Sequence, residues 1–208
     1  MAKVILLNGS PHTKGCTAAA LDEMVKVFEK EGIETEIIQV GNKAIRGCVA
    51  CGRCETLRRC VFDDLVNETA PKLEAADGLV VGSPVYYGSP NGTILSFLDR
   101  LFYSTHFSKH MKVGAAVVSC RRGGNTASFD VLNKYFTISS MPVASSTYWN
   151  QVHGFSAADV AKDEEGLQTM RNLARNMSFM IKAIHDRKEK YGNPESERDV
   201  FTSFSDGK

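Results

Sequence analysis

Short apolar runs alternate five times with amphipathic stretches along this chain, and that alternation restricts the fold more than any other feature. The runs are KVILL (3–7), TEIIQV (35–40), GLVVGS (78–83), KVGAAVVS (112–119) and a weaker PVASST (142–147). Each is short, rich in β-branched residues or bounded by Gly, Ser or Pro, as a buried strand requires. Between them, Leu21, Met24, Val25 and Phe28 recur at helical spacing within 17–31, and Ile94, Phe97, Leu98 and Leu101 do so within 91–103. Leu65, Val66 and Leu73 mark a helix over 63–75 with Asp63 or Asp64 as its N-cap. Further helices are expected near 126–138 and over 157–188. Continuous apolar strands between amphipathic helices imply an α/β fold, a parallel sheet covered on both faces.

No internal repeat or Pro/Gly-rich linker divides the 208 residues. One three-layer domain over 1–188 is expected, with a cysteine-rich insertion at 47–60 and a C-terminal tail at 189–208 able to serve as a dimer arm. The formal net charge is +1, which gives no bulk attraction to nucleic acid or to an anionic membrane. The apolar run near the N-terminus is too short for a signal peptide, and no segment approaches membrane-spanning length. A cytoplasmic protein is therefore expected, where clustered cysteines serve as metal ligands or redox thiols more often than as structural disulfides.

In an open parallel sheet, ligands gather beyond the carboxyl ends of the strands. Three such ends carry unusual sequences. NGSPHTKGCT (8–17) runs from a strand through small residues into a helix start, which aims backbone N–H groups at an anion. Ser10, Thr17 and His12 add donors, and the pattern is not that of a nucleotide P-loop. GSPVYYGSPNGT (82–93) sets Tyr86 and Tyr87 beside a backbone stiffened by Pro84, suited to a flat heteroaromatic ring. SCRRGGNT (119–126) offers two glycines for close approach and two arginines for negative charge. A phosphate loop, an aromatic-flanked loop and a glycine loop together describe a flavin mononucleotide (FMN) site. A dinucleotide fingerprint with its acidic partner is missing.

GSPHTKGCT, GSPVYYGSPNGTILSFLDR and VVSCRRGGNT resemble the flavodoxin-like NAD(P)H-dependent FMN reductase family, in particular its iron–sulfur flavoprotein branch. The likeness spans about residues 3–150. It implies a flavodoxin-like three-layer α/β/α sandwich, a five-stranded parallel sheet of order 2-1-3-4-5, bound FMN, and a homodimer or homotetramer. By position it gives Ser10, His12, Cys16, Thr17 and Ala18 to the FMN phosphate. Pro84, Val85, Tyr86, Tyr87 and Gly88 fall to the isoalloxazine ring, with Ser119, Gly123 and Gly124 nearby. The family often carries Asn where this chain has Cys16, and a thiol is the weaker donor.

Residues 47–60, GCVACGRCETLRRC, place Cys48, Cys51, Cys54 and Cys60 at C-x2-C-x2-C-x5-C spacing. Three thiolates can wrap one side of a [4Fe–4S] cluster while a fourth returns from further along the chain. The spacing resembles that of the iron–sulfur flavoproteins. Metal-free thiols, a reversible disulfide favoured by Arg53, Arg58 and Arg59, and zinc stay open as alternatives. His106 and His110 lack a metal-binding context.

The expected activity is that of an FMN oxidoreductase. NAD(P)H, or a reduced donor protein, supplies electrons that reach a small-molecule or protein acceptor, with no side chain acting as a nucleophile. An electron carrier reduced by a protein such as ferredoxin is the first alternative. A redox-responsive binding protein is the second. The nicotinamide preference and the acceptor are not legible in the residues.

Overall fold

The computed structural model describes residues 1–200 and 202. The far end of the 189–208 tail therefore lies outside the described residues. Strand β1 (Lys3–Asn8) leads into α1 (Cys16–Lys30), then β2 (Glu34–Gln39), a single turn α2 (Cys54–Leu57) and α3 (Leu65–Ala75). Next come β3 (Gly78–Tyr86), the two-residue β4 (Ser89–Pro90), α4 (Gly92–Ser104), β5 (Val113–Cys120) and α5 (Asn125–Thr137). The described chain closes with β6 (Gln151–His153), α6 (Ala157–Val160) and α7 (Glu164–Tyr191).

The sheet runs β2-β1-β3-β5-β6, all parallel, with β4 antiparallel to β3. The five parallel strands keep the expected order. The sixth is an addition, and it arises because β3 does not stop at Ser83. It continues to Tyr86, turns over Tyr87 and Gly88, and pairs back through Ser89 and Pro90.

Alternation along β1 sorts the core into two layers. Val4 and Leu6 face Leu21, Phe28, Leu173 and Met177 of α1 and α7. Ile5 and Leu7 face Val66, Phe97, Leu98, Leu101 and Phe136 of α3, α4 and α5. Helices on both faces leave the carboxyl ends of the strands as the open rim.

The expected strand at 142–147 needs correction. Val143 makes only an isolated bridge to Gly114, and the paired segment is β6, which begins opposite Val118. The chain advances from 143 to 151 while its partner advances only from 114 to 118. The surplus, with Tyr148 and Trp149, loops outward and puts both rings in solvent. The expected long helix also divides. Ser156 and Asp159 form a reciprocal capping box that starts α6, and Asp163 caps α7 through Gly166 N–H. Asp163 also accepts from His153 N–H at 2.7 Å, so the break pins β6 to the helical layer.

Candidate functional site

The loop after β1 is held by a chain of polar contacts. Asn8 Nδ2 donates to Gln39 Oε1 at 2.7 Å, Gln39 Nε2 donates to Ser10 O at 2.5 Å, and Ser10 N–H donates to Asn8 Oδ1 at 3.0 Å. The loop presses on the start of the next: Gly9 N–H donates to Gly82 O at 2.8 Å, and a Cβ on Gly9 would lie 2.7 Å from that oxygen. Only glycine allows that approach. Asn91 completes the weld. Its Nδ2 donates to Gly9 O at 2.6 Å, its Oδ1 caps α4 through Thr93 N–H, and its own N–H donates to Ser83 Oγ.

Beyond this weld the loop becomes available to a ligand. Ser10 Oγ accepts His12 N–H at 3.2 Å and keeps its own proton to donate. Helix α1 starts at Gly15 with no side-chain cap and no acidic residue in its first turn. Its first amides are therefore unsatisfied donors at the positive end of a four-turn helix. Thr17 Oγ1 and Ser119 Oγ lie 2.8 Å apart and tie this helix to the end of β5.

A cavity of ≈ 650 Å³ opens over these strand ends. The first loop contributes Ser10 and residues 12–17, β3 contributes Pro84, Val85 and Tyr86, and β5 with its loop contributes Ser119, Cys120 and Arg121. A fourth segment, Gly154–Ala157 after β6, closes it. His12, Lys14 and Arg121 are exposed at its edge, and no acidic side chain lines it among the described residues. Cys16 Sγ–H donates to Gly154 O at 3.4 Å, and burial pushes its pKa up, so the protonated donor is the resting form.

Of the flavin residues expected from sequence, Ser10, His12, Cys16, Thr17, Pro84, Val85, Tyr86 and Ser119 meet at this cavity. Ala18 is buried in α1 against the sheet. Tyr87 and Gly88 form the exposed hairpin tip outside the lining. Gly123 and Gly124 precede α5 behind Val85. Gly124 has φ +82°, and a Cβ there would meet Val85 Cγ1 at 2.8 Å. The residues not anticipated are Thr13, Lys14, Cys120 and the Gly154–Ala157 segment. S-A-A-D at 156–159 carried the capping-box signal that would have marked the last one.

Cys48, Cys51, Cys54 and Cys60 line a second cavity of ≈ 390 Å³, whose wall is mostly apolar: Val49, Val61, Phe62 and Tyr103. All four are free thiols. Left-handed backbone at Ala50, Gly52 and Arg58 curls the segment around it. Cys60 is buried, and Asn67 clamps it by accepting its N–H and donating to its C=O, each at 3.0 Å. Arg100, buried on α4, donates from Nε to Cys60 Sγ at 3.2 Å and forks onto Asp64 at 2.7 and 2.9 Å. Among the described residues no three His, Cys, Asp or Glu side chains converge closely enough for a single metal ion. The thiols ring a space instead of meeting at a point. His106 bridges Arg58 and the Cys54 carbonyl, at 2.9 Å each, and so supports this loop from outside.

Fold and site together define a flavodoxin-like α/β protein with its ligand cavity at the carboxyl rim of the sheet. The family model for NADPH-dependent FMN reductase matches residues 2–155. An iron–sulfur flavoprotein of Methanocaldococcus jannaschii is 33% identical over 190 residues, covering 88% of this chain and 98% of its own. One of Methanosarcina thermophila is 28% identical over 192 residues, covering 90% and 100%. The chain belongs to the NADPH-dependent FMN reductase family, in its iron–sulfur flavoprotein branch. Among solved structures, RosB with bound 8-demethyl-8-formylriboflavin-5′-phosphate superposes with a TM-score of 0.72 at 17% identity, covering 98% of this chain and 90% of its own. An archaeal flavodoxin gives 0.59 at 16%, covering 88% and 99%. At such identities these two show the shared fold.

Proposed function

We propose that this chain is an FMN-dependent oxidoreductase that draws electrons from NAD(P)H and delivers them to an acceptor, with a [4Fe–4S] cluster held by Cys48, Cys51, Cys54 and Cys60. The carrying observation is the convergence of four strand ends on one cavity that is also lined by an uncapped helix start. When bound, FMN supplies hydride and single-electron chemistry, and the cluster supplies single-electron storage.

The residues fit both groups. The amides at the start of α1, the free proton of Ser10 and the cation of Lys14 would hold a phosphate dianion. Pro84, Val85 and Tyr86 present a stiff, flat wall for a ring, and Ser119 and Gly154 border it from the other side. Arg121, 5.7 Å from the exposed Phe155 ring, stands at the mouth where the phosphates of a nicotinamide nucleotide would pass. For the cluster, four soft thiols share one apolar cavity with a buried guanidinium against one sulfur, a donor set suited to iron and sulfide.

Reduction by a protein donor is a second reading. It is favoured by the fully exposed Tyr87 and the 81%-exposed Phe155 on the same side of the molecule as the cavity, apolar surface that a docking partner would cover. Exposed Tyr103, Tyr148, Trp149 and Phe179 similarly favour a homodimer or homotetramer.

Anaerobic purification with flavin, iron and sulfide quantified on one sample tests the cofactors. Stoichiometric FMN with four irons per chain is expected. Protein that neither retains nor takes up FMN would overturn the reading. Stopped-flow mixing with NADPH and NADH then separates the two donors, since bleaching by neither nucleotide selects the protein partner.

A further inference from the structure

The structure assigns Arg100 a positioning role at the cysteine cavity: it fixes Cys60 as the pre-placed member of the four-thiol set and biases the bound group toward its reduced form. This rests on the [4Fe–4S] reading of that cavity.

Arg100 is 1% exposed, the one charged side chain buried on a helix whose other buried residues are Ser104 and four apolar side chains. All five of its N–H donors are used. Nε reaches Cys60 Sγ, one terminal nitrogen reaches Asp64 Oδ2 and Arg46 O, and the other reaches Asp64 Oδ1 and Phe62 O. A buried ion pair needs only the fork onto Asp64. The three further contacts gather residues 46, 60 and 62, the two ends of the cysteine segment, onto one planar group. Phe62 packs 5.2 Å from the guanidinium and holds that plane in place.

The four cysteines are consequently unequal. Cys48 and Cys51 are exposed on irregular backbone, whereas Cys60 is 8% exposed and held at N–H, C=O and Sγ. Cys60 is thus the fixed point onto which the other three close. Asp64 neutralises the long-range charge of Arg100, so the sulfur feels chiefly the directed N–H. A hydrogen bond to sulfur strengthens as negative charge accumulates there, and adding one electron to the cluster adds that charge. Partners of this kind tune a metal group without ligating it.

Arg100→Lys keeps the charge and the attraction to Asp64 but carries no donor fixed toward Sγ. In anaerobic, FMN-loaded protein, an EPR-monitored redox titration reads the one-electron reduction of the cluster. We expect Arg100→Lys to retain iron and to disfavour reduction about tenfold, about 59 mV lower for one electron. If Lys does not support folding, Arg100→Met with Asp64→Asn removes both charges while keeping an Asn cap on α3, and it should shift the potential the same way. An unchanged potential and EPR signal in a folded, iron-loaded variant would overturn the inference and leave Arg100 a structural ion pair. Wild-type protein that takes up no iron and sulfide would overturn the cluster reading itself, and the role of Arg100 with it.

Discussion

Thr17 and Ser119, 102 positions apart in sequence, meet hydroxyl to hydroxyl at 2.8 Å at the wall of the strand-end cavity. Both are almost fully buried, at 1% and 3% exposure. The contact joins the first turn of α1 to the carboxyl end of β5, so it fixes the spacing between the two walls. Thr17→Val is nearly isosteric and leaves the Ser119 hydroxyl without its partner, a loss of about 1–3 kcal/mol. Adding Ser119→Ala should recover part of it, because both polar groups are then gone. Urea denaturation of the four proteins of this cycle measures the coupling, and strictly additive losses would show that the two hydroxyls do not interact.

Asn91 separates two jobs that one side chain performs. Its Oδ1 caps α4, while its Nδ2 bonds Gly9 O across the two loops. Asn91→Ala removes both, for an expected loss of about 2–4 kcal/mol. Asn91→Asp keeps a good cap but sets a carboxylate oxygen against the Gly9 carbonyl. It should therefore be no more stable than Ala and should bind FMN more weakly than wild type. Full stability in the Asp variant would mean that the cap alone matters.

The parallel sheet and its two apolar layers were legible because periodicity reports them directly; the strand order came from the family resemblance. Eight of the expected flavin residues fall on one cavity because the loops at the strand ends were readable, the resemblance filled in their members, and the fold brings them together. The segment 154–157 was obscured by a fifth strand that does not lie where β-propensity is highest. PVASST is the better strand by composition, yet pairing with β5 resumes only at Gln151. Arg100 was hidden differently. In sequence it is a single charge within an amphipathic helix, and its contacts to Cys60, Phe62 and Asp64 are set by tertiary packing that periodicity does not report.

Tyr87 sits at the hairpin tip with φ +56°, fully exposed. Left-handed backbone costs a residue with a Cβ about 1–2 kcal/mol, and Asn bears that conformation better. Tyr87→Asn gives up no core burial, so it should raise stability by about 0.5–1 kcal/mol. The melting temperature should rise by a few degrees while FMN affinity holds, because the ring stands outside the cavity lining. Turnover with a bulky acceptor should fall if the ring guides that acceptor in. A lower melting temperature would show that Tyr87 makes stabilising contacts at the tip.

Lys109 gives the protein an alkaline gain in stability. It is 9% exposed, with Nζ 4.6 Å from the Phe107 ring centre and donating to Thr105 O at 3.1 Å. Burial pushes its pKa down to about 8, and repulsion from Arg198 and Lys112 adds to this. In the unfolded chain an ordinary lysine holds its proton to about 10.4. Between these values the unfolded state binds more protons than the native state, so stability rises with pH across that window. Below about pH 8 the full cost of burying the charge is present; above about 10.4 it has gone. Lys109→Met keeps the apolar stem and removes the charge. It should stabilise the protein at pH 7 by about 1–3 kcal/mol, and the advantage should vanish near pH 10. Lys112, whose pKa burial also lowers, contributes to both profiles, so the difference reports Lys109 together with its repulsion from Lys112. Urea denaturation of both proteins at several pH values gives that difference, and parallel profiles from pH 7 to 10 would mean that Lys109 titrates alike folded and unfolded.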